Sequence, residues 1–237
     1  MTRKELKQSA KDQLRGNWAW AVGLSFFAGL INYVIADILN YSFTRQDIIH
    51  YSFATSTNYV GYVSGPPAWA GIVPFIFAIF SGMMIWGVTY TILQFRDKGE
   101  KANIFKGMFS AFTGKTFVTS FLTFLLYYIF LILWTLLFII PGIIKVFSYA
   151  MTPYIMKDYY NAGKDPIRAT EAISASRKLM AGHKWELFGL YLSFLGWMLL
   201  GAITVGIGFL WITPYIRQTM ANFYRNLAGD QFLKAND

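Results

Sequence analysis

The chain has 237 residues, 55% of them hydrophobic and 14% charged, with a mean hydropathy of +0.40. A soluble domain carries about a quarter charged residues, so this composition is that of a membrane protein and excludes a soluble enzyme with a domain of its own. The net charge of +9 is clustered: of 21 lysines and arginines, only Arg45 and Lys145 fall outside the four blocks 1–16, 96–115, 157–184 and 217–237.

Between these blocks, residues 16–36, 48–95, 116–144 and 187–216 contain no Asp, Glu, Lys or Arg. Each run exceeds the roughly 18–20 residues that cross a bilayer core. Residues 1–15 predict an amphipathic helix, with Leu6, Ala10 and Leu14 on one stripe and Lys4, Lys7, Lys11 and Arg15 on another. Residues 17–40 predict a first span, too long for a signal core and lacking a cleavage pattern. The charge-poor stretch 41–67 reads as the one sizeable external loop, and 68–95 as the returning span. A second amphipathic stretch places Ile104, Phe105, Met108, Phe109 and Phe112 on one face. Run 116–156 is twice one span and is interrupted by Pro141-Gly142, which predicts helices over 116–140 and 143–157 with the turn between them. A third amphipathic stretch carries Ala169, Ala172, Ile173, Ser176, Leu179 and Met180. Run 184–228 then repeats the hairpin, with Gly201, Gly206 and Gly208 at its turn.

The expected fold is all-α: a polytopic membrane helix bundle of six transmembrane helices in three hairpins, each preceded by a cytoplasmic amphipathic helix. It forms one integral membrane domain over 1–237, with approximate repeats 1–97, 98–160 and 161–230. Gly16, Gly114 and Gly182 each stand where an amphipathic stretch gives way to an apolar run, and predict C-terminal caps. Thr152-Pro153-Tyr154-Ile155 recurs as Thr213-Pro214-Tyr215-Ile216. Segments 94–100, 159–165 and 223–230 each run through aromatic or polar residues to a glycine and an acid. The positive-inside rule puts the basic blocks and both termini in the cytoplasm. Trp18, Trp20 and Trp185 then belong to the inner interface and Trp69 to the outer.

Candidates for chemistry are few. The absence of cysteine removes disulfides and sulfur-ligated metals. His50 and His183, the only histidines, fall on opposite sides of the expected membrane, and no HExxH or GxSxG occurs. Gly114-Lys115-Thr116 lacks the strand and upstream glycine of a phosphate loop. No catalytic, metal or cofactor site is therefore expected, and the chain reads as a non-enzyme. Basic residues divided among the ends of apolar runs suit membrane anchoring and not nucleic acid. The expected partners are membrane lipids with anionic headgroups.

Charges at membrane depth cost at least about 2.5–3.5 kcal/mol on insertion scales. Asp37 and Lys145 are expected near outer helix ends, snorkelling or paired with each other, and Glu186 at the inner boundary. Arg217, close to Gln218 and Asn222, either lines a groove or, if the two Thr-Pro-Tyr segments share one depth, lies near the cytoplasmic surface. The residues expected to contact lipid or a ligand are Arg177, Lys178, His183, Lys184 and Arg217.

Three stretches together resemble a known family. These are Arg3-Lys4-Glu5-Leu6-Lys7 with Gly16-Asn17-Trp18, then Ile140-Pro141-Gly142-Ile143 leading to Thr152-Pro153-Tyr154, then Glu171-Ala172-Ile173-Ser174 through Gly182-His183-Lys184-Trp185-Glu186-Leu187. They resemble the domain-of-unknown-function family 975, integral membrane proteins of Gram-positive bacteria. The resemblance implies a multi-pass protein of the bacterial plasma membrane, and implies no activity and no catalytic residue. The functional expectation is a non-enzymatic membrane module that meets lipid or a partner protein. The alternative is a small transporter or lipid-handling protein whose polar path uses Arg217, Gln218, Asn222 and Asn32.

Overall fold

The computed structural model describes residues 1–56, 69–114, 117–164 and 167–233, with side chains throughout except at 40–56, 69 and 70. Every regular element among them is a helix: α1 (Arg3–Leu14), α2 (Trp18–Ser56), α3 (Trp69–Lys98), α4 (Ile104–Met108), α5 (Phe117–Leu137), α6 (Ile139–Tyr149), α7 (Thr152–Asn161), α8 (Glu171–Leu179), α9 (Lys184–Leu192), α10 (Leu195–Ile203) and α11 (Phe209–Ala228). Five stretches are long and apolar enough to cross a membrane: Trp18–Leu39, Gly71–Lys98, Phe117–Leu137, Ile139–Asn161 and Lys184–Ile203. Helix α11 has the length, but Arg217, Gln218, Asn222 and Arg225 dilute its apolar character, and it is not among them. Large apolar side chains stand exposed on these helices, among them Tyr33, Leu136, Ile140, Leu199 and Ile203. So much uncovered apolar surface fits a lipid environment and not water.

Helix α3 is central and packs against α2, α4, α5, α7 and α11. Around this core the short helices stand against the long ones. Helix α1 begins with a capping box, Thr2 and Glu5 bonding reciprocally, and runs along α11 with Leu6, Ala10 and Leu14 buried. Its basic stripe divides: Lys4 and Arg15 are exposed, whereas Lys7 donates to the Ser193 carbonyl at 2.6 Å and lies 4.0 Å from the Phe194 ring. Burial, and then the charge of Lys11, lowers the Lys7 pKa from its ordinary value. Helix α4 docks on α2 and α3, where Thr91 Oγ1 donates to the Gly107 carbonyl and Ser110 Oγ to the Gly87 carbonyl, both at 2.9 Å. Helix α8 packs against α5, α6 and α7.

Four local expectations change. The first long helix continues to Ser56, so the start of the expected loop 41–67 is helical; the rest of that loop, and the side chains of Arg45, His50 and Trp69, lie outside the described residues. The α5–α6 turn falls at Phe138, with φ −159° and ψ 141°, and not at Pro141. Proline is tolerated in the first turn of a helix, where its missing N–H has no acceptor to lose. Gly142 serves there for contact, since a Cβ would lie 2.5 Å from Thr135 Oγ1. Two expected spans are broken, at Ala150–Met151 between α6 and α7 and at Ser193–Phe194 between α9 and α10. The first break is filled by α8: Met151 N donates to Ser176 Oγ at 3.1 Å, and Ser176 Oγ donates to the Ser148 carbonyl at 2.9 Å. A side chain inserted into the backbone ladder is a recognised cause of such breaks. The second break receives Lys7 from α1. Finally, Lys145 does not pair with Asp37: its ammonium lies 4.1 Å from the Trp134 ring centroid, where the aromatic face compensates the charge, and Asp37 is exposed.

Candidate functional site

Three polar constructions occupy the described bundle. The first is a buried ion cluster at the ends of α3, α7 and α11. Arg225 donates Nη1 to Asp158 Oδ2 at 2.8 Å and Nη2 to Asp158 Oδ1 at 2.9 Å, and also donates to the carboxylate of Asp97, with Nε to Oδ1 at 3.2 Å. Tyr224 donates its hydroxyl to Asp158 at 2.6 Å. Arg96 joins through Asp97 and Asn222. Two guanidinium and two carboxylate charges balance, and every nitrogen of the Arg225 guanidinium faces an acceptor. Such a bidentate pair fixes geometry, so the cluster pins three helices together. Sequence reasoning missed it. Part of the signal was present in segments 94–100 and 223–230, which hold Asp97 and Arg225 ahead of Gly99 and Gly229 with φ of 69° and 52°, while Asp158 just precedes segment 159–165.

The second is a cavity of about 540 Å³ between α3, α5, α7, α9, α10 and α11. Arg217 forms part of its wall, beside Tyr154 and Tyr191, both within electrostatic range. Pro153 and Thr213 also line this space, so the two Thr-Pro-Tyr segments meet at one cavity. The expected polar strip does not stay together. Gln218 and Asn222 are buried against α1, with Gln218 Nε2 donating to Gln13 Oε1 at 2.7 Å and Asn222 Nδ2 to the Leu6 carbonyl at 3.4 Å. Asn32 Nδ2 donates to the Ala28 carbonyl. Only Arg217 of the four reaches the cavity.

The third construction is a pair of surface grooves. One, of about 420 Å³, lies between α6, α9 and the turn that precedes α9, and is lined by Ile143, Ile144, Phe147, Gly182, Lys184, Trp185 and Phe188. Gly182 holds φ 85°, a left-handed conformation that L side chains rarely adopt, and turns the chain from α8 into α9. That turn leaves Trp185 81% exposed over the groove. Arg177 and Lys184 each lie within electrostatic range of Lys145. Arg177 and Lys178 are exposed, and His183 Nδ1 is 3.2 Å from Glu186 Oε1. The other groove, of about 350 Å³, lies between α1, α10 and α11 and is lined by Lys11, Arg15, Trp18, Trp197, Trp211, Ile212 and Tyr215. It follows Gly16, whose φ is 75°. Each groove thus has an apolar floor, a basic rim and a tryptophan just past a left-handed glycine, and neither lining contains a carboxylate. Among the described residues no group of three or more His, Cys, Asp or Glu could hold a metal ion.

The family model described as "Protein of unknown function (DUF975)" matches residues 1–149 and 136–231. No curated protein and no solved structure matches the chain.

Proposed function

The chain belongs to the DUF975 family, and from that premise we propose that it is a non-enzymatic multi-pass membrane module that engages anionic lipid at its inner face. The observation that carries this reading is the duplicated groove. An apolar floor accepts acyl chain, an interfacial tryptophan marks headgroup level, and cations held without a carboxylate favour phosphate. In this reading Lys184 and Arg177 bind the headgroup at one groove and Arg15 and Lys11 at the other, with Lys178 and His183 at the periphery.

The proposed setting is the bacterial plasma membrane, with six spans and both termini cytoplasmic. Helix α11 is the sixth span, sheltered from lipid over much of its length by α1. Packing supports the threefold repeat: α4 docks on the hairpin α2–α3 that precedes it, α8 on the hairpin of α5, α6 and α7 that precedes it, and α1 closes the circle on α11. A lipid-handling role is the second reading, favoured by the Arg217 cavity.

Purification of the full chain with its bound lipid, followed by mass spectrometry, tests the proposal. Anionic headgroups should be enriched over the bulk membrane, and the enrichment should fall in a variant carrying Arg15→Gln, Arg177→Gln and Lys184→Gln. Bound lipid of bulk composition would refute it.

A further inference from the structure

Arg217 is a cation without an anion. An arginine stays protonated in a protein, and its guanidinium offers five N–H donors. Among the described residues, none of these donates to a protein acceptor, and no carboxylate lines the cavity. The contrast lies on the same helix, two turns on, where Arg225 is saturated by Asp97 and Asp158. Arg217 is half-buried in the cavity wall, and no protein anion there compensates its charge. The hydroxyls of Tyr154 and Tyr191 add two further donors beside it and no negative charge at neutral pH. Donors of this kind recognise an oxyanion, and a planar guanidinium pairs with phosphate or carboxylate.

The rest of the cavity sets the remainder of the ligand. Its other walls include Ile85, Trp86, Met198, Phe209 and Met220, which have no use for a small hydrated ion. Its volume of about 540 Å³ falls within the roughly 300–1,000 Å³ of ordinary ligand sites. We propose that the Arg217 cavity binds an amphiphilic anion, with a phosphate or carboxylate held by Arg217, Tyr154 and Tyr191 and an apolar tail against the aromatic and aliphatic walls. The site is separate from the two grooves, with which it shares no lining residue. It extends the lipid reading above and stands or falls independently of it.

Native mass spectrometry of the full chain in detergent, with dioctanoyl phosphatidic acid as the probe, tests this. The triple groove variant Arg15→Gln, Arg177→Gln and Lys184→Gln should still bind one molecule, and adding Arg217→Gln should abolish that binding. Dioctanoylglycerol, which has the tails without the phosphate, should bind at least tenfold more weakly, and inorganic phosphate should not compete at tenfold excess. Ile216→Trp, which keeps the charge and fills the cavity, should lose the same molecule, so the test survives if Arg217→Gln fails to fold. Undiminished binding on adding Arg217→Gln, or equal binding of the diacylglycerol, would overturn the site. Effective competition by phosphate would assign it to a free anion and overturn the amphiphile. Equal stoichiometry in the wild type and the triple variant would instead refute the groove reading and leave this one standing.

Discussion

Arg225 holds Asp158 with two parallel hydrogen bonds, 2.8 and 2.9 Å long, across 67 residues of sequence, and so joins α11 to α7 at a point where Asp158 is fully buried. Removing one partner leaves an uncompensated charge and costs about 3–5 kcal/mol. Arg225→Gln leaves buried Asp158 with only the Tyr224 hydroxyl, and Asp97 with only Arg96, and should destabilise most. Asp97→Asn, at a carboxylate 19% exposed, should cost clearly less. Thermal unfolding of the purified variants in one detergent should rank them in that order.

Ser176 supplies both an acceptor and a donor to the break between α6 and α7. Ser176→Ala strands the Met151 amide and the Ser148 carbonyl and should cost about 1–3 kcal/mol. Hydrogen exchange should then speed up at Met151 ahead of the amides within α7. Unchanged exchange there would mean that α8 does not hold the break.

Gly87 lies where a Cβ would come within 2.1 Å of the Met108 carbonyl oxygen, whereas Gly29 has open space around it. The obstacle at Gly87 is backbone and cannot swing aside. Gly87→Ala should therefore cost about 1–3 kcal/mol by overpacking, and Gly29→Ala should be neutral or slightly stabilising. Unfolding temperatures of the two variants provide the comparison.

Orientation can be read with single cysteines, because the chain has none of its own. A cysteine at Ser56 should react with an impermeant reagent in intact cells. One at Ser174, exposed on α8, should react only after lysis. The reverse pattern would invert the topology.

Much of this architecture was legible because apolar runs and glycines act locally. Gly16 and Gly182 are left-handed just past the ends of α1 and α8, as expected of a chain leaving a helix, whereas Gly114, also left-handed, does not cap α4, which ends earlier at Met108. Pro141 misled because its ring is compatible with the first turn of a helix as well as with a loop. The same Thr-Pro pair starts α7 at Thr152–Pro153 yet lies inside α11 at Thr213–Pro214. The difference resides in Ser176, which is distant in sequence and reaches only the first of them. Asp97, Asp158 and Arg225 were visible as charges beside glycines, but their convergence depends on three helices meeting. The separation of Arg217 from Gln218 likewise depends on α1 covering one face of α11.

The most direct measurement of lipid selectivity is electron paramagnetic resonance of spin-labelled phosphatidylglycerol and phosphatidylcholine around the full chain in a phosphatidylcholine bilayer. One basic residue near an anionic surface is worth about 1 kcal/mol, so phosphatidylglycerol should be favoured by at least about fivefold. That preference should shrink in 1 M salt, where the screening length is only about 3 Å, and in the triple groove variant. Equal restriction of the two lipids by the wild-type protein at low salt would contradict the lipid-binding role.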